Sequence, residues 1–355
     1  MPRSPLINRP RRRSAFTIAE VLVAVTLLLI IMAVTATVMD QATRAWRQTN
    51  TKIEAFQNAR GVFEVMTSRL TPATLNTYLD YYDTTGQAFR LTSTPATFAP
   101  AKYGRYSDLH FICGAGKTLV TTLPPFYSQV ASGAVFFVAP TGLTATADYR
   151  GTTGLLNASG FFIAFGSDKG HRPPYLTTPE TYRWRLMELS SPTESLEVFG
   201  AASGNSWFRT PISTGKVRPV ADNVIALIIW PRRPPADDAA GTAISSNYAY
   251  DSRTTAPWAS GTQPVQAHQL PPTLQVTMVV IDDGAARRLD KGSTPPPEIT
   301  AVLGGLFNDN AEASGNLVQH YETDLKVMEQ RLIDRHIGYR VFSSTISLRE
   351  AKWTP

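Results

Sequence analysis

Among the residues able to carry chemistry, one carboxylate is out of place. Glu20 stands at the edge of an apolar run in which no further charge occurs before Asp40, and burying a lone acid deeply in lipid costs on the order of 2.5–3.5 kcal/mol. Such a residue calls for a partner. The histidines (His110, His171, His268, His320 and His336) lie far apart, and none falls in an HExxH or comparable ligand spacing, which argues against a zinc enzyme. Neither a Gly-x-Ser-x-Gly elbow nor a Gly-x-x-x-x-Gly-Lys-Ser/Thr phosphate loop occurs. The chain therefore reads as a non-enzyme. Cys113 is the sole cysteine, so no intramolecular disulfide can form, and its apolar surroundings over residues 109–113 favour a buried thiol over a nucleophile.

Oxygen-rich clusters occur at Asn308-Asp309-Asn310-Ala311-Glu312, at Asp237-Asp238 and at Asp282-Asp283, but none follows the full twelve-residue calcium loop. Solvated loop acids are the first reading. A calcium site at Asp309, Asn310 and Glu312 is the second, and otherwise no cofactor is expected. Trp184, Trp207, Trp230, Trp258 and Trp353 fall mostly in or beside apolar runs, which favours core packing. Trp207 and Trp258, set among Ser, Gly and Pro, are the better candidates for a binding surface.

The element that positions Glu20 is an N-terminal helix. Residues 21–39 are nineteen consecutive uncharged positions, about 28 Å of helix, close to the hydrocarbon thickness of roughly 30 Å. The formal charge of +6 comes almost entirely from Arg3, Arg9, Arg11, Arg12 and Arg13, whose removal leaves 29 bases against 28 acids. A basic flank before an apolar span fits the positive-inside rule and argues against a nucleic-acid surface. An ordinary secretory signal places its small-residue cleavage site after the apolar region, whereas Ser14-Ala15 precedes it. Beyond Met39, Phe56, Phe63 and Leu70 recur every seven residues with Ala59 and Met66 between them, so an amphipathic helix continues to Pro72, its stripe suited to packing on a sheet.

The string Arg13-Ser14-Ala15-Phe16-Thr17-Ile18-Ala19-Glu20-Val21-Leu22-Val23-Ala24 resembles the prepilin cleavage and methylation motif of type IV pilins and secretion-system pseudopilins. Here alanine stands where glycine usually precedes the cut, and Ile18-Ala19 replaces the usual apolar pair. The resemblance implies cleavage by prepilin peptidase between Ala15 and Phe16, methylation of the new amino terminus at Phe16, and assembly through Glu20. That glutamate would pair with the ammonium of a neighbouring pilin-like subunit, neutralising two costly membrane charges. Methylation keeps the ammonium charged. An assembly ATPase and a platform protein would be indirect partners, and the location implied is the bacterial inner membrane, single-pass, with the C-terminal domain in the periplasm.

Strand-like runs over residues 109–113, 118–122, 133–139, 160–165, 182–189, 224–230, 274–281 and 339–348, with one amphipathic helix over 320–336, predict an α+β fold. Residues 231–272, rich in Pro, Ala, Ser and Gly, read as a loop or insertion, either mobile or used for contacts. The organisation expected is a leader at 1–15, a transmembrane half-helix at 16–39, an extracytoplasmic half-helix at 40–72 and a β-rich, pilin-like domain at 73–355. Residues 223–231 and 270–280 also resemble the closing strands of the minor pseudopilin J of type II secretion, and residues 339–353 the end of the Verru-Chthon cassette protein C family. Two functions follow as expectations. One is a minor pilin or pseudopilin subunit; the other is a membrane-anchored or filament-borne adhesin acting through surface loops.

Overall fold

The computed structural model describes residues 17–199, 204–245, 247–254, 262–307 and 315–353, with the side chains of 47–52 and 54 left aside. Two compact units divide the chain, Met1–Ile53 and Glu54–Pro355. A helix, α1 (Ile18–Leu70), supplies the described part of the first unit and opens the second. Its stop one residue before Thr71-Pro72 follows from proline's restriction of the residue before it.

In the second unit the last turns of α1 bury Ala59, Phe63, Met66 and Leu70, the stripe expected from the sequence, and Phe63 stacks on Phe342 at 6.0 Å. Three antiparallel sheets follow. A two-stranded ribbon joins β1 (Tyr78–Tyr82) to β2 (Lys102–Tyr106). The six-stranded sheet has the order β7-β6-β5-β4-β3-β9, formed by β3 (Ile112–Ala115), β4 (Tyr127–Pro140), β5 (Leu156–Ser167), β6 (Tyr182–Ser191), β7 (Val217–Asp222) and β9 (Tyr250–Asp251). The three-stranded sheet has β10 (Thr273–Ile281) between β11 (Tyr339–Ser347) and β8 (Val224–Arg232). Short helices α2 (Gly116–Leu119), α3 (Ser206–Ser213), α4 (Asp283–Arg288) and α5 (Pro297–Leu303) fill connections, and α6 (Leu317–Asp334) precedes the last strand. This is the α+β architecture expected of a pilin-like chain.

Strands β5 and β8 are buried along almost their whole length, so they read as continuous apolar runs rather than as alternating ones. Between Ala131↔Ile163 and Ala134↔Phe162, β4 carries a bulge of two residues, Ser132 and Gly133. Ser132, at φ +56°, turns its hydroxyl onto β8, donating to the Leu227 carbonyl at 2.8 Å and accepting from the Leu227 N–H at 3.1 Å. One side chain thus stitches the two larger sheets together. Gly133 is obligatory beside it, because a Cβ there would lie 2.6 Å from the Leu227 carbonyl oxygen. An ion cluster centred on the buried Glu188 ties the end of α1 to the six-stranded sheet: Glu188 on β6 accepts from Arg218 on β7 at 2.7 Å and pairs with Arg69.

Two expectations are corrected here. The run 118–122 is no strand: α2 occupies its start, where Gly116 lets the chain turn against Val130 and Ser132. The stretch 231–272 is not a loose insertion over its described part. It buries Ile244, Tyr248, Tyr250, Ala267 and Leu270, contributes β9, and is tied down by Tyr250, whose hydroxyl donates to the Gln269 carbonyl at 2.7 Å. Proline and small residues there set turns between anchors instead of freeing the chain.

Candidate functional site

Described α1 begins with a reciprocal cap. Thr17 precedes the first helical residue, and its N–H and hydroxyl donate to Glu20 Oε2 at 3.1 and 3.2 Å. The Glu20 N–H in turn donates to Thr17 Oγ1 at 3.3 Å. This is a capping box, in which side chains satisfy donors that a helix start leaves orphaned. The carboxylate also sits where the positive end of the helix dipole favours a negative charge. Glu20 is exposed, and its Oε1 has no hydrogen-bond partner among the described residues.

Beyond the cap, residues Ile18–Trp46 form a 29-residue helical stretch apolar and long enough to cross a membrane, with none of its hydrophobic side chains buried against protein. Its threonines hide their own polarity. Thr26 donates to the Val23 carbonyl at 2.9 Å, Thr35 to Ile31 at 2.7 Å and Thr43 to Met39 at 2.8 Å. Charge reappears only at Asp40, which pairs with Arg44 at 2.7 Å one turn on. Glu20 is therefore the single ionisable group in the span up to Asp40. The threonine-x-x-glutamate spacing that builds the cap was legible in the sequence, yet a charge-only reading of Glu20 passed over it.

Ala15 and Phe16, the expected cleavage and methylation residues, lie outside the described residues, as do Asp309, Asn310 and Glu312 of the calcium candidate. The other acidic pairs hold backbone. Asp238 accepts from the Thr242 and Ala243 N–H groups at 3.1 and 3.0 Å, and Asp282 caps α4 through the Ala285 N–H at 2.5 Å. Cys113 is a buried thiol whose S–H donates to the Tyr248 carbonyl at 3.8 Å.

Trp207 is corrected as a binding candidate. It is fully buried on α3, where its ring meets Phe208 edge-on at 5.1 Å, and Trp258 lies outside the described residues. The Trp207 indole N–H donates to His110 Nδ1 at 3.0 Å, while His110 Nε2 lies 2.8 Å from Asp251 Oδ1. Indole can only donate, so His110 must be neutral at Nδ1 and carry its proton on Nε2, which donates to Asp251. Burial lowers the pKa of His110 and outweighs the opposing carboxylate. Both ring nitrogens are committed, which makes this triad a structural tie between β9, α3 and the β3 approach, with no nitrogen left to act as a base.

A family model described as the prokaryotic N-terminal methylation motif matches residues 10–36. No curated protein and no solved structure matches the chain. The matched family is structural, not enzymatic, and the match covers the cap, Glu20 and most of the apolar span. The chain thus carries the prepilin-type N-terminal methylation motif over residues 10–36, and its N-terminal apolar helix fits a pilin-like protein.

Proposed function

We propose that the chain is a minor pilin or pseudopilin, trimmed between Ala15 and Phe16 by prepilin peptidase, methylated at Phe16, and drawn into a type IV pilus-like or type II secretion-like filament. The observation that carries this reading is the pairing of a fully exposed apolar helix with one carboxylate whose outer oxygen has no partner among the described residues. Lipid covers the helix before assembly, and neighbouring helices cover it afterwards. An ammonium at a neighbouring subunit's first residue would complete Glu20, because two paired charges avoid the desolvation penalty each would carry alone. The domain from residue 54 onward would face the periplasm, with the assembly ATPase and platform protein acting from the other side. The J-like and Verru-Chthon readings are finer forms of the same proposal.

The mass of the mature N-terminal peptide tests processing: a chain starting at methylated Phe16 is expected, and an intact Met1 would refute it. A photo-crosslinker placed next to Glu20 tests assembly. It should capture other prepilins, and failure to do so would remove the filament role while leaving membrane anchoring in place.

A further inference from the structure

Apolar and cationic groups with no part in the N-terminal site gather around one end of the second unit, the C-terminal end of β10. There the Asp282 N–H donates to the Gly338 carbonyl at 2.8 Å, joining α4 to the start of β11, and Arg288 on α4 donates to the His336 carbonyl at 2.8 Å, just past the end of α6. The β5–β6 hairpin meets the same end through Arg183, 2.7 Å from Asp290. The chain enters the unit here as well. The Arg340 guanidinium lies over the Phe56 ring at 5.6 Å, and Arg340 stands across from Val280, next to last in β10. Ten residues of chain, no longer than about 35 Å even when fully extended, separate Phe56 from Trp46, where the apolar stretch closes.

The hairpin loop, residues 168–181, is a stiff projection. Asp168 accepts from the N–H and the hydroxyl of Thr181 at 3.0 and 2.9 Å and donates its own N–H to the Thr181 carbonyl at 3.1 Å, which closes the loop at its base. Pro173, Pro174 and Pro179 remove backbone freedom. Between them Tyr175 is 79% exposed and Leu176 is exposed beside it. Phe126, also exposed, packs on Gly170, where a Cβ would lie 2.8 Å from its ring. An aromatic ring and a leucine held out by a rigid loop lose little entropy on docking, and they suit the boundary between water and hydrocarbon, where Tyr is enriched. On α6, Ile333 is 53% exposed between Arg331 and Arg335.

The charges around these points favour an anionic surface. Arg288, Arg331 and Arg335 donate to main-chain carbonyls and Arg340 covers Phe56; among the described residues no carboxylate lies within ion-pair distance of these four. Asp283, Asp290 and Glu298 are paired with Arg287, Arg183 and Lys291, and Asp282 is buried in its cap. Glu329 and Asp334 are then the acids left to oppose four guanidinium groups, so the surplus is cationic. Residues 47–54 add two bases and one acid. The residues flanking the other undescribed segments sit elsewhere: Phe307 bonds Asp324 and Asn316 caps the start of α6, while Arg253 and Gln263 bond Asp108 and Arg105. We propose that this end of the domain docks on the anionic headgroup surface of the membrane that holds α1, with Tyr175 and Leu176 seated at the interface and Arg288, Arg335 and Arg340 on lipid phosphates. Guanidinium–phosphate bonds are charge-assisted, and an anionic leaflet attracts each such cation. The proposal rests on the membrane anchoring of α1 and not on leader cleavage or filament assembly.

The test places the full chain in lipid nanodiscs of phosphatidylcholine alone or with about 30% phosphatidylglycerol, and reads quenching of a nitrobenzoxadiazole dye on Thr177→Cys by a doxyl lipid. The parent chain, whose Cys113 is buried, serves as the unlabelled control. Quenching should be at least about threefold stronger in the anionic discs and fall to the zwitterionic level in about 0.5 M NaCl. The combined exposed-arginine variant Arg288→Gln, Arg335→Gln and Arg340→Gln, checked for unchanged melting, should show the same fall, and Leu176→Ser should lower quenching in both lipids. Equal quenching in the two lipids, or an arginine variant that matches the parent, would overturn the proposal. So would a chain retained in the discs without quenching, which leaves anchoring intact. A chain that does not stay in the discs would refute the anchor and the docking together. A dye that responds to a second chain in the disc but not to the quencher lipid would assign this end to a neighbouring copy and overturn the lipid docking.

Discussion

Acid should loosen the domain well before its carboxylates titrate, and His268 sets most of the effect. An unfolded histidine titrates near 6.5, whereas folded His268 titrates near 4 because it is buried between Arg253 and Arg105. The folded state therefore holds the neutral ring, and its contribution is complete above pH 6.5. As pH falls from 6.5 toward 4 the unfolded chain binds a proton that the folded chain refuses, so stability drops by up to 1.36 kcal/mol per pH unit. By pH 4.5 the loss from this one group is about 2–3 kcal/mol. His110 and His171, both lowered chiefly by burial, act in the same direction. The carboxylates held below their usual range, Asp168, Asp251 and Glu194, lose their contribution only at lower pH, so the histidine window is separable. Urea unfolding of the detergent-solubilised chain at pH 7.5, 6.5, 5.5 and 4.5, followed by tryptophan fluorescence, should show the decline, and His268→Gln should flatten most of it. Constant stability between pH 7 and 5, or an unchanged slope in His268→Gln, would refute the reasoning.

Ser132→Ala removes the stitch between the two larger sheets and strands the Leu227 N–H and carbonyl, so thermal or urea unfolding should show a loss of about 1–3 kcal/mol. Glu188→Gln leaves Arg69 and Arg218 facing a neutral amide; because Arg218 is 60% exposed and can rehydrate, the expected cost is about 1–3 kcal/mol rather than the full penalty of a broken buried pair. Gly61 lies inside α1, and a Cβ there meets nothing within 4 Å, so Gly61→Ala should raise stability by about 0.5–1 kcal/mol in the same assay. Thr17→Val removes the cap while sparing the carboxylate. Under the proposed assembly it should keep crosslinking at Glu20, whereas Glu20→Gln should abolish it; equal loss in both would mean that the cap itself carries assembly.

What the sequence made legible follows from how local each cause is. The apolar span, the basic leader and the lone glutamate are one-dimensional facts, and α1 begins and ends near where they place it. The stripe of Phe63, Met66 and Leu70 likewise told which face would be buried. Strands β5, β8, β10 and β11 were visible because apolar and β-branched runs of that length have few other uses. Strands β1, β2 and β7 were not, since each mixes charged, glycine or proline residues into a short run whose pairing is decided by distant partners, such as Tyr81 opposite Tyr103. Trp207 misled because its neighbours are small and polar in sequence while its contacts, His110 and Phe208, include one brought from almost a hundred residues away.

The Thr17 cap changes what the glutamate asks of a membrane. A bare carboxylate at the edge of an apolar helix would demand a partner at once, but Glu20 already accepts two hydrogen bonds through one oxygen and sits at the favourable end of the helix dipole. Those interactions offset part of its insertion cost without neutralising its charge. The second oxygen accepts no hydrogen bond from the described residues, so a neighbouring ammonium could bind it without dislodging the cap. A lone subunit is thereby tolerable in lipid and still better off beside another, which is the energetic order that stepwise addition to a filament requires: waiting must be affordable, and joining must be downhill.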